Sequence, residues 1–483
     1  MNKEIAVGEI SKKLIFVANN DKCNREIYVR KEKERNTNLN YDNNCFVFTR
    51  AITPFYFKDC QNVSISNLKV SFKNRYYFQA EIVNIVGDSV FLKPNTDVRY
   101  ELGSDGALKL IYGQESLEFS KKTVFIQEFE KTPRVAYKSP IKILPVSDGC
   151  VFKEKGGVLE FVFKDAQSFK IGNLLCFFCF DRTVDGFVFD NVKNLTLKNV
   201  TIYSSPAMGI ICQNCENVYL ENVRVVRDEN SPYAVTTWAD ATHFFACRGK
   251  LTMKNCTFEN MNDDASNIHS AYLTITRVDG KKIFAEYKHF QQYGVNFFKK
   301  GDVARSILPQ DGAFGSHAKV KSAQLTQNMQ GLEIEFYRDA PFKAGDLLEN
   351  VTANPKVTII NCKTGNNRPR GFLIATNKTA LVRNCEFYNS ECGVGVFADT
   401  KFWYEAGSLG KLTVDGCQFR CNYGGESAAI IVEPTFDKKG NEKFNKKIVV
   451  KNCTFDLRFG ERSRIFNTAK IVFKNNKEIK NEK

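Results

Sequence analysis

The chain has 483 residues, too many for one compact core of ordinary shape, so it is expected to be multidomain or repetitive. Hydrophobic residues make up 43% of it and charged residues 25%, which excludes global disorder. The net charge of +15 comes from lysines and arginines spread along the whole length, without a basic block or a nucleic-acid-binding motif. A lysine- and asparagine-rich composition is the favoured explanation. An anionic ligand such as a sulfated glycan is the alternative, and nucleic acid is not expected as a partner.

The sequence contains no run of 18 apolar residues, so no membrane span is predicted. The first ten residues, Met-Asn-Lys-Glu-Ile-Ala-Val-Gly-Glu-Ile, lack the apolar segment of a signal peptide. Either the protein stays inside the cell, or an export segment has been removed and a methionine supplied. The localisation is therefore left open.

A sequence motif of alternating apolar and polar residues, ending in Asn-x-x-Phe or Asn-x-x-Val, recurs along the chain. Alternation with period 2 predicts a strand with one buried face, and the recurring asparagine suits a turn with left-handed backbone geometry. Two of the intervals between copies are 23 residues, and repeats of this length with short strands predict a right-handed parallel β-helix. Copies begin at Asn62, Asn194, Asn217, Lys250, Lys356, Thr379, Lys411 and Lys447.

Two stretches interrupt the repeat, and their length and strand-rich pattern predict two inserted small β-barrels. The second insertion begins just after His269 and is expected to form a wall beside the aspartates described below. The predicted units are first β-helix coils over 1–71, a barrel over 72–180, coils with the aspartates over 181–270, a barrel over 271–350, C-terminal coils over 351–470 and a frayed polar tail over 471–483.

The 16 cysteines are not expected to form a disulfide framework, because five of them occupy the equivalent position of the repeated motif. This placement predicts a stack of buried thiols that behave as small hydrophobic residues. No group of cysteines and histidines has credible zinc-site spacing, so neither a metal nor another cofactor is expected. The five are Cys256, Cys362, Cys385, Cys417 and Cys453.

Three aspartates are the leading catalytic candidates. Asp240 and Asp263 are 23 residues apart, one coil of the predicted solenoid, which would stack them at about the 4.8 Å distance between strands. Asp264 is expected to point to another side. Crowded carboxylates raise at least one pKa, which provides an acid beside a base. Glycoside hydrolysis needs that division, with the two carboxyl groups roughly 6.5–9.5 Å apart in an inverting enzyme.

Turn capping and a calcium site are the alternatives for these carboxylates, since aspartates often bond backbone at turns and carboxylate oxygens suit calcium. Other polar and aromatic residues at the equivalent edge of neighbouring coils favour a substrate site. Arginine side chains bind hydroxyls or orient carboxylates, and a tryptophan offers a platform for a sugar ring. His243 is assigned a structural role. The predicted substrate-binding residues are Asn267, His269, Asn367, Arg368, Arg370, Trp403, Glu405 and Glu433.

Several motifs resemble glycoside hydrolase family 110. They are Asp240-Ala-Thr-His-Phe, the stretch Asn255-Cys-Thr-Phe-Glu-Asn-Met-Asn-Asp-Asp-Ala-Ser-Asn-Ile-His, Gly365-Asn-Asn-Arg-Pro-Arg-Gly-Phe-Leu and Trp403-Tyr-Glu-Ala-Gly. The resemblance implies an exo-acting, inverting α-galactosidase of the kind that removes terminal α-1,3-linked galactose, built as a parallel β-helix with two inserted barrels. The chain departs from the family in starting without its usual N-terminal coils and secretion signal, and Thr242 and Pro369 stand where other residues are expected.

The resemblance places the three family aspartates on Asp240, Asp263 and Asp264. By analogy with polygalacturonases, which are also parallel β-helices, Asp263 is the general acid while Asp240 and Asp264 activate water. An exchange of roles between Asp263 and Asp264 is left open.

The sequence leaves three hypotheses for the function. The first is a metal-independent exo-α-galactosidase acting on glycans with a terminal α-linked galactose. The second is a β-helix hydrolase or lyase that acts on an acidic or sulfated polysaccharide. The third is a non-catalytic glycan-binding or adhesion solenoid. The exact linkage, the aglycone, tolerance of fucosylated branches and the oligomeric state, with a homodimer among the options, are left open.

Overall fold

The computed structural model describes residues 2–5, 27–95, 99–113, 115–119, 124–131, 142–144, 151–179, 184–388, 390–420, 427–438, 440–458 and 460–480. Strands dominate, and the helices within these ranges are two short 3-10 turns, Ala166–Ser168 and Phe290–Gln292. None of the described helices has the length and hydrophobicity needed to cross a bilayer.

The parallel β-helix predicted from the repeat is confirmed. Its coils contribute strands to two parallel sheets, here called sheet I and sheet II. The strands of sheet I are Asn2–Ile5, Arg35–Phe48, Gln61–Phe72, Lys193–Ile202, Glu216–Glu221, Arg224–Val225, Arg248–Lys254, Thr257–Glu259, Lys356–Ile360, Lys363–Gly365, Thr379–Arg383, Glu386–Tyr388, Lys411–Asp415, Gln418–Arg420, Asn445–Lys451, Thr454–Asp456, Thr468–Lys474 and Lys477–Ile479.

Sheet II follows the coils on another side of the solenoid and carries the predicted site. Its parallel strands are Ile27–Glu32, Thr53–Lys58, Phe187–Asp190, Ile210–Gln213, Thr242–Phe245, Ser266–Ala271, Arg370–Ile374, Cys392–Val396, Ala428–Val432 and Glu461–Ile465. A short strand, Glu405–Ala406, pairs antiparallel with Ser266–Ala271.

Asparagine turns bend sheet I in each coil, as the sequence predicts. Asn199 and Asn222 have φ of 54° and 52°, a left-handed conformation that asparagine tolerates better than most residues. The amide of Asn222 donates to the side-chain oxygen of Asn199 at 2.8 Å, and Asn199 donates in the same way to Asn67. The amides therefore link one coil to the next, which fixes the register of the solenoid.

Stacked side chains fill the interior of the solenoid. Phe387, Phe419 and Phe455 stack with ring centroids 4.7 and 5.1 Å apart. The predicted thiol stack is confirmed: the cysteines are free and buried, and the backbone N–H of Cys256 donates to Cys362 Sγ at 3.4 Å. The same contact repeats up the stack.

The second insertion is the closed six-stranded barrel that the sequence predicts. Its strands are Leu273–Asp279, Lys282–Tyr287, Val303–Ile307, Phe314–Leu325, Gly331–Phe336 and Leu347–Asn350.

The first insertion forms, in its described residues, a seven-stranded antiparallel sheet and a three-stranded sheet on one core. A closed barrel there stays a prediction, because several of its residues lie outside the described ranges. The seven strands are Phe78–Val86, Ser89–Pro94, Val124–Phe129, Lys142–Leu144, Phe152–Lys155, Val158–Val162 and Leu174–Cys179, and the three are Arg99–Leu102, Leu108–Tyr112 and Glu115–Glu118.

The frayed tail predicted from residue 471 is wrong as far as residue 480. Strands Thr468–Lys474 and Lys477–Ile479 pair with Asn445–Lys451 and Thr454–Asp456, which adds one more coil. The side chains of this coil are mostly exposed, so the sequence is polar there even though the backbone continues the sheet.

Candidate active site

The register of sheet II decides which aspartates lie side by side. Thr242 pairs with Ser266, an offset of 24 residues rather than 23. Asp240 is therefore in register with Asp264, not with Asp263 as the repeat length predicts. The backbone N–H of Ala241 donates to the carbonyl of Asp264 at 3.0 Å, and the N–H of Asp264 donates to Asp240 Oδ1 at 3.2 Å.

All three aspartates nevertheless meet in one place. One oxygen from each lies within 4.8 Å of the others. The side chain of Asp264 is 1% exposed, that of Asp240 5% and that of Asp263 17%, so only Asp263 has appreciable contact with solvent. The predicted convergence of three carboxylates with unequal surroundings is thus observed.

A cavity of about 390 Å³ opens over the carboxylates, within the size range of small-molecule sites. Buried polar atoms of Asp264 (Oδ2), Asn267 (Oδ1) and Arg368 (Nε) have no hydrogen-bond partner among the described residues. Buried polar atoms are normally paired, so these three mark the part of the site whose hydrogen bonding the protein alone leaves incomplete. The lining consists of Met208, Asp240, His243, Asp263, Asp264, Asn267, Gln291, Arg368, Pro369, Arg370, Glu391, Phe397, Asp399, Trp403, Glu405 and Thr435.

Each carboxylate has a different basic partner. Arg370 Nε donates to Asp264 Oδ1 at 2.8 Å, and the guanidinium of Arg370 lies 5.2 Å from the ring centroid of Phe397. His243 Nδ1 lies 2.7 Å from Asp240 Oδ2. Arg368 is 3.6 Å from Asp263, an ion pair longer than a hydrogen bond.

Burial raises the pKa of Asp264 well above its ordinary value. The guanidinium of Arg370 opposes this rise, while the charges of Asp263 and Asp240 add to it. Since an arginine keeps its proton at any pH relevant to a folded protein, Arg370 is the group on which an ionised Asp264 depends.

The spacing of the carboxylates is short enough to hold a metal ion. Arg370 and His243 already occupy oxygens of Asp264 and Asp240, and the guanidinium charge next to the cluster repels a second cation. The arrangement therefore favours acid–base chemistry over the calcium alternative.

A loop over 397–407 forms one wall of the cavity. Asp399 accepts the backbone N–H groups of Lys401 at 3.0 Å and Phe402 at 3.2 Å, and also that of Trp403, which fixes the loop internally. Asn267 donates to Glu405 Oε1 at 3.2 Å and holds the loop against sheet II.

The second barrel closes the same side, as its position in the sequence predicts. Gln292 of its 3-10 turn donates to the carbonyl of Trp403 at 2.8 Å, and the rings of His289 and Trp403 lie 4.7 Å apart. Gln291 from this turn lines the cavity.

Eight of the eleven predicted site residues line the cavity, and three do not. Asn367 is buried behind it, where its amide donates to the carbonyls of Asp263 at 3.0 Å and Arg370 at 2.7 Å and so shapes the turn that carries them. His269 is buried against His243, and Glu433 is half-buried outside the lining.

Sequence reasoning missed several lining residues. Glu391, Phe397 and Asp399 flank the strand Cys392–Val396, one coil beyond Arg370. Their position at the edge of the next coil was the signal available, since Arg370 pairs in register with Cys392. Gln291 belongs to the barrel, and no sequence pattern relates it to the solenoid.

Residues 185–336 and 347–483 match the family model described as the right-handed β-helix region. The chain belongs to this family. Among curated proteins, it is 25% identical to α-1,3-galactosidase A of Shewanella woodyi over 96% of this chain and 77% of the relative. It is also 25% identical to α-1,3-galactosidase A of Bacteroides fragilis, over 89% of this chain and 72% of the relative.

A third relative, α-1,3-galactosidase A of Akkermansia muciniphila, is 30% identical over 62% of this chain and 50% of its own length. These relatives confirm the resemblance inferred from the motifs. A solved structure described as a glycoside hydrolase aligns with 91% of this chain and 89% of its own, with 7% identity and a TM-score of 0.27, too low for an argument.

Proposed function

We propose that the chain is a glycosidase that releases terminal α-linked galactose, of the α-1,3-linked kind, from glycans. The observation that carries this proposal is the cluster of Asp240, Asp263 and Asp264 in one cavity. Their unequal burial and partners provide the acid and base that glycoside hydrolysis requires. The relatives named α-1,3-galactosidase, which align over most of this chain, support galactose as the sugar released.

Asp263 is the proposed general acid, and Asp240 and Asp264 hold the attacking water. The three carboxylates differ in their basic partners: Arg370 hydrogen-bonds Asp264, His243 contacts Asp240, and Arg368 pairs with Asp263 at 3.6 Å. The contact from Arg370 opposes the rise in the pKa of Asp264 that burial causes. Asp263 is also the most exposed of the three, so it can reach a leaving group that extends towards solvent.

In the proposed reaction, Asp263 gives its proton to the glycosidic oxygen as the bond from that oxygen to the anomeric carbon breaks. Water adds to the anomeric carbon and loses its proton to a carboxylate, and the acid regains a proton from solvent. Inversion at this carbon comes from the family resemblance and not from spacing, because the closest carboxylate oxygens lie within 4.8 Å, less than the carboxyl separation of inverting enzymes.

Exo action fits the shape of the site. The cavity is small, and the loop over 397–407 and the 3-10 turn of the barrel close one side of it. Trp403 offers a ring for stacking, and the polar side chains of Asn267 and Arg368 also line the cavity. One terminal sugar is therefore the expected occupant.

The charge of the cavity disfavours the acidic-polysaccharide alternative. Six carboxylic side chains line it against two arginines and one histidine. Such a lining repels a sulfated or uronic-acid substrate, even though the whole chain carries a net charge of +15.

The test is a panel of α-1,3-, α-1,4- and α-1,6-linked digalactosides, with NMR following the anomer released first. Hydrolysis of the α-1,3 compound with β-galactose appearing first is expected. Asp263→Asn and Asp264→Asn should lose at least about 10³-fold in kcat while keeping the wild-type circular dichroism spectrum.

Asp415→Asn is the matched control, because Asp415 is an aspartate on sheet I outside the cavity, where it accepts from the amide of Asn452 at 2.9 Å. Near wild-type rates in both active-site variants would contradict the proposed mechanism. Binding of α-galactosides without cleavage would instead support the non-catalytic solenoid.

A further inference from the structure

His243 and His269 form a connected chain of polar groups behind Asp240. His269 Nδ1 lies 2.6 Å from the carbonyl oxygen of Ser270, the Nε2 atoms of the two histidines are 3.0 Å apart, and His243 Nδ1 lies 2.7 Å from Asp240 Oδ2. The two rings are nearly perpendicular, at 89°. The side chain of His243 is 15% exposed and that of His269 4%.

The protonation of His269 follows from its partners. A carbonyl oxygen only accepts, so Nδ1 of His269 must carry the proton that is donated to Ser270. Burial, together with the charge on His243, lowers the pKa of His269 to about 3, so the ring is neutral at physiological pH. Its Nε2 atom is therefore a lone-pair acceptor.

This tautomer fixes the next contact. Because His269 Nε2 can only accept, His243 Nε2 must donate. The contact between His243 Nδ1 and Asp240 Oδ2 then needs one more proton, since two lone pairs do not approach to 2.7 Å. Either Asp240 is a carboxylic acid beside a neutral ring, or His243 is an imidazolium beside a carboxylate.

One general property and one observed contact favour the proton on His243. An imidazole is ordinarily about 2.6 pKa units more basic than an aspartate. In addition, Asp240 Oδ1 accepts the backbone N–H of Asp264 at 3.2 Å, which favours the ionised carboxylate.

We propose that His243 is a positioning residue, held as an imidazolium by the neutral His269, that keeps Asp240 ionised and correctly oriented among the crowded carboxylates. Loss of one His243 proton leaves a lone pair that faces either the carboxylate of Asp240 or the acceptor Nε2 of His269, so one of the two contacts breaks, the ring turns, and Asp240 loses its orientation. The titratable groups facing His243 are Asp240 on its own coil, His269 on the next coil and Glu405 on the loop over 397–407. The two carboxylates retain the proton and the neutral ring does not compete for it.

The role in the reaction rests on the proposed function, whereas the protonation pattern does not. The first test therefore measures protonation directly. The chain has only 4 histidines, so ¹⁵N-histidine labelling gives a spectrum that single His→Gln substitutions can assign. His243 should be protonated on both nitrogens at pH 7 and titrate above it, and His269 should stay neutral with its proton on Nδ1 down to about pH 5. A neutral His243 at pH 7, or a proton on Nε2 of His269, would overturn the proposal.

The second test measures the pH profile of kcat/KM. Wild-type activity should fall on the alkaline side with the pKa that NMR gives for His243. His243→Gln should lower kcat/KM about 10- to 100-fold, the usual loss for an orienting partner, and remove this alkaline limb. His269→Gln should move the limb, because the glutamine amide presents a different partner to His243.

His317→Gln is the control, since His317 is exposed on the barrel, and its profile should match wild type. An unchanged alkaline limb in His243→Gln would reduce His243 to a packing role. If His243→Gln does not fold, the wild-type NMR titration and the His269→Gln profile still decide. A wild-type protein that shows the predicted spectrum but releases no galactose would refute the proposed function and leave the histidine pair standing.

Discussion

Three chemically identical side chains become different through their immediate neighbours. Asp264 is almost fully buried against Arg370, Asp240 is bonded by His243, and Asp263 faces the more open side of the cavity. Burial raises the pKa of Asp264, and the guanidinium of Arg370 opposes that rise. The contacts of each aspartate therefore give three identical carboxyl groups different surroundings, which the proposed acid and base roles require.

Removing the guanidinium from Asp264 tests how much the site depends on it. Arg370→Gln leaves a buried carboxyl group without its cation, so we expect the free energy of unfolding to fall, by less than the roughly 3–5 kcal/mol of a fully buried pair because the side chain of Arg370 is 27% exposed. The activity should fall with it, because the pKa of Asp264, already raised by burial, rises further when its counter-charge is gone.

Urea unfolding and kcat measure the two effects. The double variant Arg370→Gln/Asp264→Asn should recover most of the stability and none of the activity, because it removes the unpaired charge together with the water-binding carboxylate. Equal losses of stability in the single and double variants would show that Arg370 acts through packing on Phe397 instead.

His269 should make the stability depend on pH in a defined window. Its pKa is about 3 in the folded chain and about 6.5 when exposed, so between these values the unfolded chain binds a proton that the native chain does not. The unfolding free energy should therefore fall as the pH drops from 6.5 towards 3, by at most roughly 1.4 kcal/mol per pH unit from this group. His269→Asn should unfold with a shallower pH dependence than wild type over this window.

At this scale the sequence predicts the carboxylates, the arginines and Trp403, because each stands in a short motif. It does not predict the role of His243, whose significance depends on a ring 26 residues away and on the carbonyl that fixes that ring. Asn367, predicted to bind substrate, lies outside the cavity lining and bonds backbone carbonyls instead. The identity of a polar residue in a motif does not reveal whether its amide faces the cavity or bonds the neighbouring backbone.

At the scale of the coil, a one-residue difference in register changes which aspartates are neighbours. The repeat length of 23 is correct where Lys193 pairs with Glu216 and Phe187 with Ile210, but the strand Arg248–Lys254 carries a register irregularity that adds one residue to its coil, so that Thr242 pairs with Ser266. Such a bulge leaves the repeat recognisable in the sequence but shifts the neighbours of every residue that follows it. The fold was therefore predictable and the register of the site was not.

Neighbouring coils approach closely at Gly371, and this spacing should be needed to hold the adjacent Arg370 in the site. A Cβ at this position would overlap the carbonyl oxygen of Gly393 and lie 2.7 Å from the ring of Phe387. Gly371→Ala should therefore lower the unfolding free energy by about 1–3 kcal/mol and reduce kcat, since the shift displaces the adjacent Arg370. Thermal unfolding and galactose release measure both effects.

Gly87→Ala is the comparison for that variant, because its Cβ would meet nothing within 4 Å and only its φ of 58° is strained. It should cost about 1–2 kcal/mol and leave kcat unchanged. A Gly371→Ala enzyme with wild-type kcat would show that the coils can separate without moving the arginine.

The loop over 397–407 should contribute binding more than chemistry. Trp403 lines the cavity and its ring is tilted by 50° against that of His289 of the barrel, while the neighbouring Phe402 is 58% exposed and lies outside the lining. Trp403→Ala should raise KM for the α-1,3 digalactoside about tenfold with a smaller effect on kcat, because a stacking contact is made in both ground and transition states. Phe402→Ala should change KM less than twofold, and equal effects of the two variants would contradict a role specific to Trp403.

At the scale of the molecule, both insertions brace the coil that carries Asp240. Trp238 donates to the carbonyl of Cys179 at 2.6 Å and belongs to the core of the first insertion, and Phe245 belongs to the core of the second barrel. The sequence predicts the insertions by the loss of the repeat, but their internal topology depends on non-local antiparallel pairing that has no period. The tail predicted from residue 471 was wrong because the composition becomes polar there while the backbone pairing of the solenoid continues.

Charge is distributed unevenly over the molecule, because the chain has a positive net charge whereas the lining of the cavity is mainly acidic. The chain carries +15, yet six carboxylic groups line the cavity against three basic side chains. A charge at contact distance outweighs dispersed surface charge once the Debye length is short, and that length falls from about 30 Å at 0.01 M salt to about 10 Å at 0.1 M. The substrate that passes into the cavity should therefore be uncharged.

Salt dependence separates a neutral from an acidic substrate. For a neutral α-1,3 digalactoside, kcat/KM should change less than twofold between about 0.01 M and 0.1 M salt, because no net charge is steered. A sulfated galactoside should be hydrolysed far more slowly, with a rate that rises with salt as the repulsion from the cavity carboxylates is screened. Faster hydrolysis of the sulfated compound at low salt would mean that the basic surface selects the substrate, which would favour the acidic-polysaccharide function over the galactosidase proposed for this site.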